Sequence, residues 1–207
     1  MSELYDIGKL WQDWETVRLI GEGSFGKVYE IARNRFGIEE HCALKVITIP
    51  DSKAEVQSLK NDGMDDQSVT AYYRGLVEEV VQEIALMKKL RNNNNIVRYE
   101  DFCVVEHEDS FGWDIVIRME LLKASPVYFK EISLTVSEVL KLGIDMCKAL
   151  EDCETHKIIH RDIKPDNIFV SEDGTYKLGD FGVARTIDKT MAGLSKKGTY
   201  TFMAPEV

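Results

Sequence analysis

Residues 160–167, which read His-Arg-Asp-Ile-Lys-Pro-Asp-Asn, constrain this chain more than any other stretch of its sequence. They hold a carboxylate at Asp162 that can accept a proton, an ammonium at Lys164 and a carboxamide at Asn167. Side chains alternate sides along extended backbone, so Asp162 and Lys164 are expected to face the same space. A base beside a positive charge and a metal-capable amide suits transfer of a charged group to a hydroxyl. The rest of the chain must then supply a phosphate cradle and a second metal ligand.

Charge and composition narrow the classes of partner. The net charge of −10 argues against nucleic acid or an anionic membrane as the main partner. The four cysteines form no CxxC pair, which favours a reducing, cytoplasmic location over a disulfide framework. No apolar run approaches the ~20 residues of a membrane helix. We therefore expect no nucleic-acid partner and no membrane segment in this chain, and the sequence leaves the oligomeric state open.

Three glycines, Gly21, Gly23 and Gly26, lie between two segments rich in β-formers within residues 17–31. Without Cβ atoms they let backbone N–H groups approach a phosphate closely. The same spacing occurs in dinucleotide-binding turns, but there it opens a helix, and here it opens Lys-Val-Tyr-Glu-Ile-Ala. A hairpin over a phosphate is therefore favoured, and a plain glycine hairpin is the alternative.

One lysine and one glutamate interrupt apolar patterns. Lys45 breaks the apolar strand predicted over 41–49, where it lies either on a solvated face or towards a nucleotide. Residues 69–90 have a helical period, and Glu83 shares the apolar face of that helix. Because a carboxylate on such a face needs a partner, we expect Glu83 to pair with Lys45.

The remaining stretches predict further elements. Residues 50–68 are polar and predict a surface loop, and strands are expected over 99–106 and 112–122. Residues 134–156 predict a helix opened by a capping box at Thr135 and Glu138, and residues 168–179 predict a hairpin that leads to Asp180. Trp11 and Trp14 should pack on the elements that come after them in the chain. The helix residues that suit burial are Val136, Val139, Leu140, Ile144, Cys147 and Leu150.

In their order, these motifs resemble those of eukaryotic-type serine/threonine protein kinases, from residue 17 to the end of the chain. The resemblance implies an α+β, bilobal fold with an antiparallel β-sheet N-lobe carrying one main helix and a partial helical C-lobe. Residues 1–16 would be a lead-in, 17–121 the ATP-binding N-lobe, and 122–207 the partial C-lobe. The matching motifs are the three glycines, Val28, Ala43-Leu-Lys45, Glu83, residues 160–167, Asp180-Phe-Gly and Ala204-Pro-Glu.

The resemblance implies ATP and Mg²⁺ as cofactors and a protein with a Ser or Thr hydroxyl as substrate. Asp162 would orient the hydroxyl and take its proton, Lys164 would stabilise the γ-phosphoryl charge, and Asn167 and Asp180 would hold Mg²⁺. A lysine two residues after Asp162 resembles serine/threonine rather than tyrosine kinases. The implied nucleotide-binding residues are Gly21, Gly23, Gly26, Val28, Ala43, Lys45, Glu83, Met119 (the gatekeeper position), Glu120 and Leu122.

Further residues resemble regulatory positions of the family. Arg161 and Arg185 match the basic pair that receives an activation-loop phosphate, with Ser195 as its first candidate site and Thr190 as the next. Thr199 matches the threonine that contacts both the base and the lysine.

The same residues bear on two alternatives and one expectation. A pseudokinase or nucleotide-binding scaffold is disfavoured because all the motif residues are present, namely Lys45, Glu83, Asp162, Asn167 and Asp180. A small-molecule kinase is disfavoured by the Arg161-Asp-x-Lys signature and the Ala-Pro-Glu motif. The chain ends one residue after that motif, where the family continues into a helical subdomain. We therefore expect this piece alone to be weakly active or inactive.

Phosphorylation of Ser195 is expected to activate the enzyme, because a phosphate adds a charge of about −1.5 to −2 that can order a loop against arginines. Ser195→Ala in the full-length protein should therefore lower turnover, measured as transfer from radiolabelled ATP. Full activity of that variant would contradict the assignment.

Overall fold

The computed structural model describes residues 5–23, 26–108, 110–132, 134–181 and 185–186, the last two by their backbone alone. The chain divides into two compact units. The first unit holds residues up to Val81 together with Tyr99–Leu121, and the second holds Gln82–Arg98 together with residues from Leu122 onward. Each unit has its own hydrophobic core.

A five-stranded antiparallel sheet forms the centre of the first unit. Its strands are β1 (Glu15–Gly23), β2 (Gly26–Arg35), β3 (Ile38–Ile49), β4 (Tyr99–Glu106) and β5 (Trp113–Glu120), in the spatial order β1-β2-β3-β5-β4. The predicted strands are thus confirmed, since β-branched and aromatic residues at alternating positions place one face of the sheet on a core. Leu44 and Val46 of β3 lie in that core together with Trp14.

The lead-in segment packs on this sheet, as predicted for its two tryptophans. The guanidinium carbon of Arg118 lies 5.3 Å from the ring centroid of Trp11 and 5.1 Å from that of Trp14. Arg33 lies 4.7 Å from the Trp14 centroid, and Trp11 Nε1 donates a hydrogen bond to Asp101. Contacts between a cation and an aromatic face each contribute about 0.5–1 kcal/mol at exposed sites, so they fix the lead-in to three strands.

The prediction of a surface loop over residues 50–68 is wrong, because most of that stretch is helical. Helix α1 (Lys53–Asn61) begins after Ser52, whose Oγ accepts a hydrogen bond from the Glu55 backbone N–H at 3.4 Å. No residue of α1 is buried. Its only large apolar residues are Val56 and Leu59, fewer than usually identify an amphipathic helix. Its N-cap and helix-forming residues are the signals that indicate it. The helix predicted over 69–90 is confirmed as α2 (Asp66–Lys89).

The second unit is built on a short hairpin and two helices. The predicted hairpin is confirmed, since residues 168–170 pair antiparallel with residues 176–178. Residues 123–124 pair antiparallel with 169–170, and residues 185–186 pair antiparallel with 158–159. One core cluster joins Leu90 and Ile96 to helix and hairpin residues, so residues 82–98 pack with the C-terminal part of the chain. No helix in the described part of the chain has the length and apolar character needed to cross a bilayer. The elements are β6 (Lys123–Ala124), α3 (Ser125–Glu131), α4 (Val136–Thr155), β7 (Ile158–Ile159), a 3₁₀ turn (Pro165–Asn167), β8 (Ile168–Val170), β9 (Tyr176–Leu178) and β10 (Arg185–Thr186).

Helix α4 starts where predicted but buries a different face. Thr135 Oγ1 accepts a hydrogen bond from the Glu138 backbone N–H at 3.2 Å, which confirms the cap. The buried residues of α4 are Asp145, Ala149 and Cys153. A helical period identifies an apolar stripe, whereas burial depends on which elements pack against it. Six residues expected to be buried are instead exposed or half-exposed: Val136, Val139, Leu140, Ile144, Cys147 and Leu150.

Asp145 joins α4 to the hairpin. Its carboxylate accepts hydrogen bonds from Lys141 Nζ at 2.8 Å and from the Tyr176 backbone N–H at 3.1 Å. Lys141 Nζ also donates to the Gly174 carbonyl, and the Tyr176 hydroxyl donates to Glu138. Burial is the largest single effect and opposes ionisation of Asp145, but the hydrogen bonds from Lys141 and Tyr176 together hold its pKa below the ordinary value. The ionised carboxylate therefore stabilises the folded unit.

Asp145→Ala should lower the free energy of unfolding by about 2 kcal/mol at neutral pH, because the Tyr176 N–H loses its acceptor. Since the pKa of Asp145 is depressed by folding, this stability is present above the unfolded pKa of about 3.9 and is lost as pH falls through the lower folded value. Urea unfolding at several pH values measures the difference between the two proteins.

Glu154→Ala, at an exposed position of the same helix, should change stability by less than about 0.5 kcal/mol. A difference between Asp145→Ala and wild type that stays constant from neutral pH to well below the unfolded pKa would contradict the ionic role of Asp145.

Candidate active site

The glycine-rich hairpin joins β1 to β2, and its glycines have different surroundings. Gly26 has φ of +102°, and a Cβ there would lie 2.1 Å from the Val46 carbonyl oxygen, so the fold itself requires glycine. Among the described residues, nothing lies within 4 Å of a Cβ built on Gly23, and the nearest atom to one on Gly21 is Val28 Cβ at 3.8 Å. The described surroundings therefore leave room for side chains at 21 and 23. The open space beside their backbone fits an approaching phosphate.

Four predicted nucleotide-binding residues share one face of the sheet. Val28 pairs with Lys45 across β2 and β3, and Ala43 pairs with Met119 across β3 and β5. Residues directly opposite in an antiparallel pair point to the same side, as do residues two apart in one strand. Val28, Ala43, Lys45 and Met119 therefore lie on the face opposite to Leu44 and the core. One ligand on that face could contact all four.

Three other predicted residues lie at the ends of elements or in the second unit. Glu120 is the last residue of β5, and its side chain points away from the face of Met119, so a contact with adenine would come from its backbone. Leu122 is the first residue after the boundary at Leu121. Lys45 belongs to the first unit and Glu83 to the second, and their pairing stays a prediction.

The structure brings together the three charged and polar groups of residues 160–167. Lys164 Nζ lies 2.8 Å from Asp162 Oδ2, and Asn167 Nδ2 donates hydrogen bonds to the same oxygen at 2.9 Å and to the Asp162 carbonyl at 2.7 Å. Asp162 and Asn167 are both buried. The predicted juxtaposition of a carboxylate with an ammonium is confirmed, and the amide is part of the same cluster.

Gly179 ties this loop to the strand that precedes Asp180. Its backbone N–H donates to the Asn167 carbonyl at 2.9 Å, and its carbonyl oxygen lies 3.0 Å from His160 Nε2. A Cβ at 179 would lie 2.6 Å from Val97 Cγ2. Sequence reasoning assigned no role to Gly179 or His160. The glycine directly before the acidic motif residue is the signal that could have indicated a close approach.

His160 is a neutral imidazole with a defined tautomer. The Gly179 carbonyl can only accept, so Nε2 carries the proton, and Nδ1 accepts the Asp162 backbone N–H at 3.3 Å. The ring packs edge-on against Phe181, with centroids 4.6 Å apart. Burial lowers the pKa of His160, although the Gly179 carbonyl favours the protonated ring. A neutral ring satisfies both hydrogen bonds, whereas protonation of Nδ1 would remove one of them.

Asn167 and Asp180 have the donor atoms that suit Mg²⁺. Both N–H groups of the Asn167 amide are used within the loop, so its oxygen is the atom that can coordinate a cation. Asp180 adds a carboxylate one residue after the anchored Gly179. No cluster of three or more His, Cys, Asp or Glu side chains suited to a metal occurs among the described residues. Two protein oxygens suit a cation that completes its coordination with substrate phosphates and water.

Of the predicted regulatory residues, the structure describes the backbone of two. Arg161 has φ of +70°, and Arg185 pairs with Ile159 where β10 meets β7. The side chain of Arg185 and the residues Thr190, Ser195 and Thr199 lie outside the described part of the chain. Phosphate binding by the two arginines stays a prediction.

The amino-acid sequence of the chain matches a family of known proteins. The profile of the family described as "Protein kinase domain" matches residues 14–207. The chain is 29% identical over 197 residues to "Serine/threonine-protein kinase TIO" of Arabidopsis thaliana. The matched stretch covers 95% of this chain and 13% of that protein. The chain is 30% identical over 198 residues to "Serine/threonine-protein kinase Nek1" of Mus musculus (91% and 14%) and 28% over 204 residues to "Serine/threonine-protein kinase Nek5" of Mus musculus (94% and 27%). The chain thus spans between 13% and 27% of the length of these relatives.

The ring of His160 should titrate below the usual pKa of about 6.5 and show the Nε2–H tautomer. Because folding lowers this pKa, the stability from the neutral ring is present above about pH 6.5 and is lost as pH falls through the folded value. Nitrogen-edited NMR of the ring across this range measures both properties.

His160→Phe keeps an aromatic ring against Phe181 but removes both hydrogen bonds, so it should destabilise the unit by about 1–3 kcal/mol. A folded-state pKa of His160 at or above the usual value would show that the ring is not held neutral.

Proposed function

The chain belongs to the protein kinase domain family, and from this we propose that its protein is a serine/threonine protein kinase that uses Mg-ATP. The reaction moves the γ-phosphoryl group of ATP to a Ser or Thr hydroxyl of a protein substrate. The observation that carries this proposal is the cluster in which the Asp162 carboxylate contacts both Lys164 and Asn167. It combines a proton acceptor, a cation and a cation-binding amide in one loop.

Asp162 is the proposed proton acceptor. Its carboxylate orients the substrate hydroxyl and takes the proton as the hydroxyl oxygen forms a bond to the γ-phosphorus. The bond from that phosphorus to the β,γ-bridging oxygen breaks, and ADP is the leaving group. As in protein kinases generally, positioning and charge stabilisation carry most of the rate effect. The contacts from Lys164 and Asn167 hold the carboxylate in place for this step.

The other residues hold the nucleotide and its charge. Lys164 is close enough to Asp162 to stabilise negative charge on the group in transfer. Asn167 and Asp180 would hold Mg²⁺, which neutralises phosphate charge when it is bound. The backbone at Gly21 and Gly23 has room for the phosphates. Gly26 closes the glycine-rich hairpin, and Glu83 is proposed to orient Lys45. The remaining nucleotide contacts are assigned to Val28, Ala43, Lys45, Met119, the backbone of Glu120 and Leu122.

The proposed substrate class and location rest on separate observations. Lys164 stands where serine/threonine kinases have a lysine, and the relatives named above are serine/threonine kinases. All four cysteines are free thiols, which supports a reducing, cytoplasmic location. The negative net charge supports a protein rather than a nucleic-acid substrate.

Regulation is proposed to use a phosphate on Ser195, or on Thr190, bound by Arg161 and Arg185. Thr199 would contact Asp162 and Lys164.

Asp162→Asn in the full-length protein should lower transfer of radiolabelled γ-phosphate to a generic protein by about 10²–10⁴-fold, because the proton acceptor is lost. Mg-ATP should still raise the melting temperature of this variant, since the nucleotide contacts are intact. Small alcohols should be poor acceptors compared with protein.

Asp166→Asn is the matched control, because Asp166 is an exposed carboxylate in the same loop. It should keep wild-type activity. Stabilisation of the wild-type protein by Mg-ATP without any transfer would favour a nucleotide-binding scaffold, and transfer to small alcohols alone would favour a small-molecule kinase.

A further inference from the structure

Ser125 is a fully buried hydroxyl that contacts the catalytic loop. It is the first residue of α3 and has 0% exposure. Its Oγ donates a hydrogen bond to the backbone carbonyl of Pro165 at 2.8 Å, across 40 residues of sequence. A buried hydroxyl destabilises a fold unless it is hydrogen-bonded, and an alanine would fill nearly the same space without that requirement. The hydroxyl therefore has a role that packing alone does not explain.

The Pro165 carbonyl is the point that closes the 3₁₀ turn. It also accepts the Ile168 backbone N–H, and the Asn167 N–H donates to the Lys164 carbonyl at 3.0 Å. A carbonyl oxygen has two lone pairs, so the hydroxyl of Ser125 and the amide of Ile168 can bind it together. Ser125 therefore restrains the turn from outside the loop.

The 3₁₀ turn places Asn167 beside two parts of the proposed active site, Asp162 and the segment that leads to Asp180. The Asn167 side chain reaches back to Asp162, and its carbonyl holds Gly179, which precedes Asp180. A shift of the turn would move the metal-binding amide relative to both carboxylates. Misplacement of a catalytic group by about 1 Å is enough to lower a rate by about 10²-fold.

The residues on both sides of Ser125 are held by contacts of their own, which fix the hydroxyl beside the Pro165 carbonyl. Strand β6, directly before Ser125, pairs with β8, with Lys123 opposite Val170 and Ala124 opposite Phe169. On the other side of Ser125, Tyr128 and Phe129 of α3 pack against a core cluster that contains Ile168. The hydroxyl is therefore held by backbone pairing on one side and aromatic packing on the other.

We infer that Ser125 is a positioning residue for phosphoryl transfer, holding the Pro165 carbonyl and thereby setting the place of Asn167 relative to Asp162 and Asp180. This inference rests on the proposed kinase function for its catalytic consequence, but its structural step is independent of activity. Ser125 also follows the predicted adenine-contact residue Leu122 by three positions. Residues 122–125 thus link a predicted adenine contact to the turn that contains Asn167, a predicted metal ligand.

The test uses variants of the full-length protein that separate the effect of the hydroxyl from that of side-chain volume. Ser125→Thr and Ser125→Val add the same volume, so any cost of overpacking is common to both, and their difference reports the hydrogen bond. Ser125→Ala removes the hydroxyl without adding volume. Ser171→Ala is the control, because Ser171 Oγ lies 2.6 Å from Asp173 Oδ1 and 3.0 Å from the Thr175 carbonyl oxygen, at the closed end of the hairpin.

The first readout is amide hydrogen exchange of Ile168, which does not depend on catalysis. Exchange should be about tenfold faster in Ser125→Ala and Ser125→Val than in wild type and Ser125→Thr, as expected for loss of one buried hydrogen bond. Ser171→Ala should leave this amide unchanged. Equal exchange in the Thr and Val variants would overturn the inference, whether or not the protein is a kinase.

The second readout is kinetic. Ser125→Ala and Ser125→Val should lower kcat by about tenfold and raise the Mg²⁺ concentration needed for half-maximal activity, with little change in KM for the protein substrate. Ser125→Thr should restore both values. Altered exchange with unchanged kcat and Mg²⁺ dependence would overturn the positioning role of Ser125 in transfer. Absence of transfer by the wild-type protein would overturn the proposed function instead.

Discussion

The candidate catalytic machinery depends on two hydrogen bonds made by one residue, Gly179. Its N–H binds the Asn167 carbonyl and its carbonyl binds His160 Nε2, so the strand leading to Asp180 is joined to both ends of residues 160–167. Both bonds require a backbone approach that a Cβ would prevent, because it would meet the Val97 side chain and the Phe169 ring. This close approach contributes to the positions of Asp162, Asn167 and Asp180 within the second unit, together with the contacts that Lys164 and Asn167 make to Asp162.

Buried polar groups with defined partners align the elements around this contact. His160 is satisfied as a neutral ring, Asp145 as an ion and Ser125 as a hydroxyl. Each would destabilise the fold if its partner were removed, because a buried polar group without a hydrogen bond is not rehydrated. Such groups orient their neighbours more narrowly than apolar packing does, since a hydrogen bond restricts both distance and angle. Residues 160–167 thus lie between Ile158 and Ile168, which belong to two core clusters, and are aligned by hydrogen bonds.

In the first unit, sheet register rather than hydrogen bonding by side chains organises the candidate site. The pairing of β2, β3 and β5 places Val28, Ala43, Lys45 and Met119 on one face and the packed core on the other. A slip of one residue would exchange the two faces. Gly26 helps to hold this register because its backbone lies against the Val46 carbonyl, whereas Gly21 and Gly23 leave space for a ligand.

Local sequence patterns were enough to predict the strands of the sheet, the hairpin, the cap of α4 and the grouping of Asp162 with Lys164, because each has one period or one short spacing. Tertiary packing was needed to establish that residues 53–61 form an exposed helix and that α4 buries Asp145, Ala149 and Cys153 rather than the apolar residues predicted. It also shows that Gly179, His160 and Ser125 contact residues 160–167 or the turn within them. Local sequence carries backbone preference and apolar periodicity. Burial, close backbone approach and hydrogen bonds between distant parts of the chain exist only once the elements have packed.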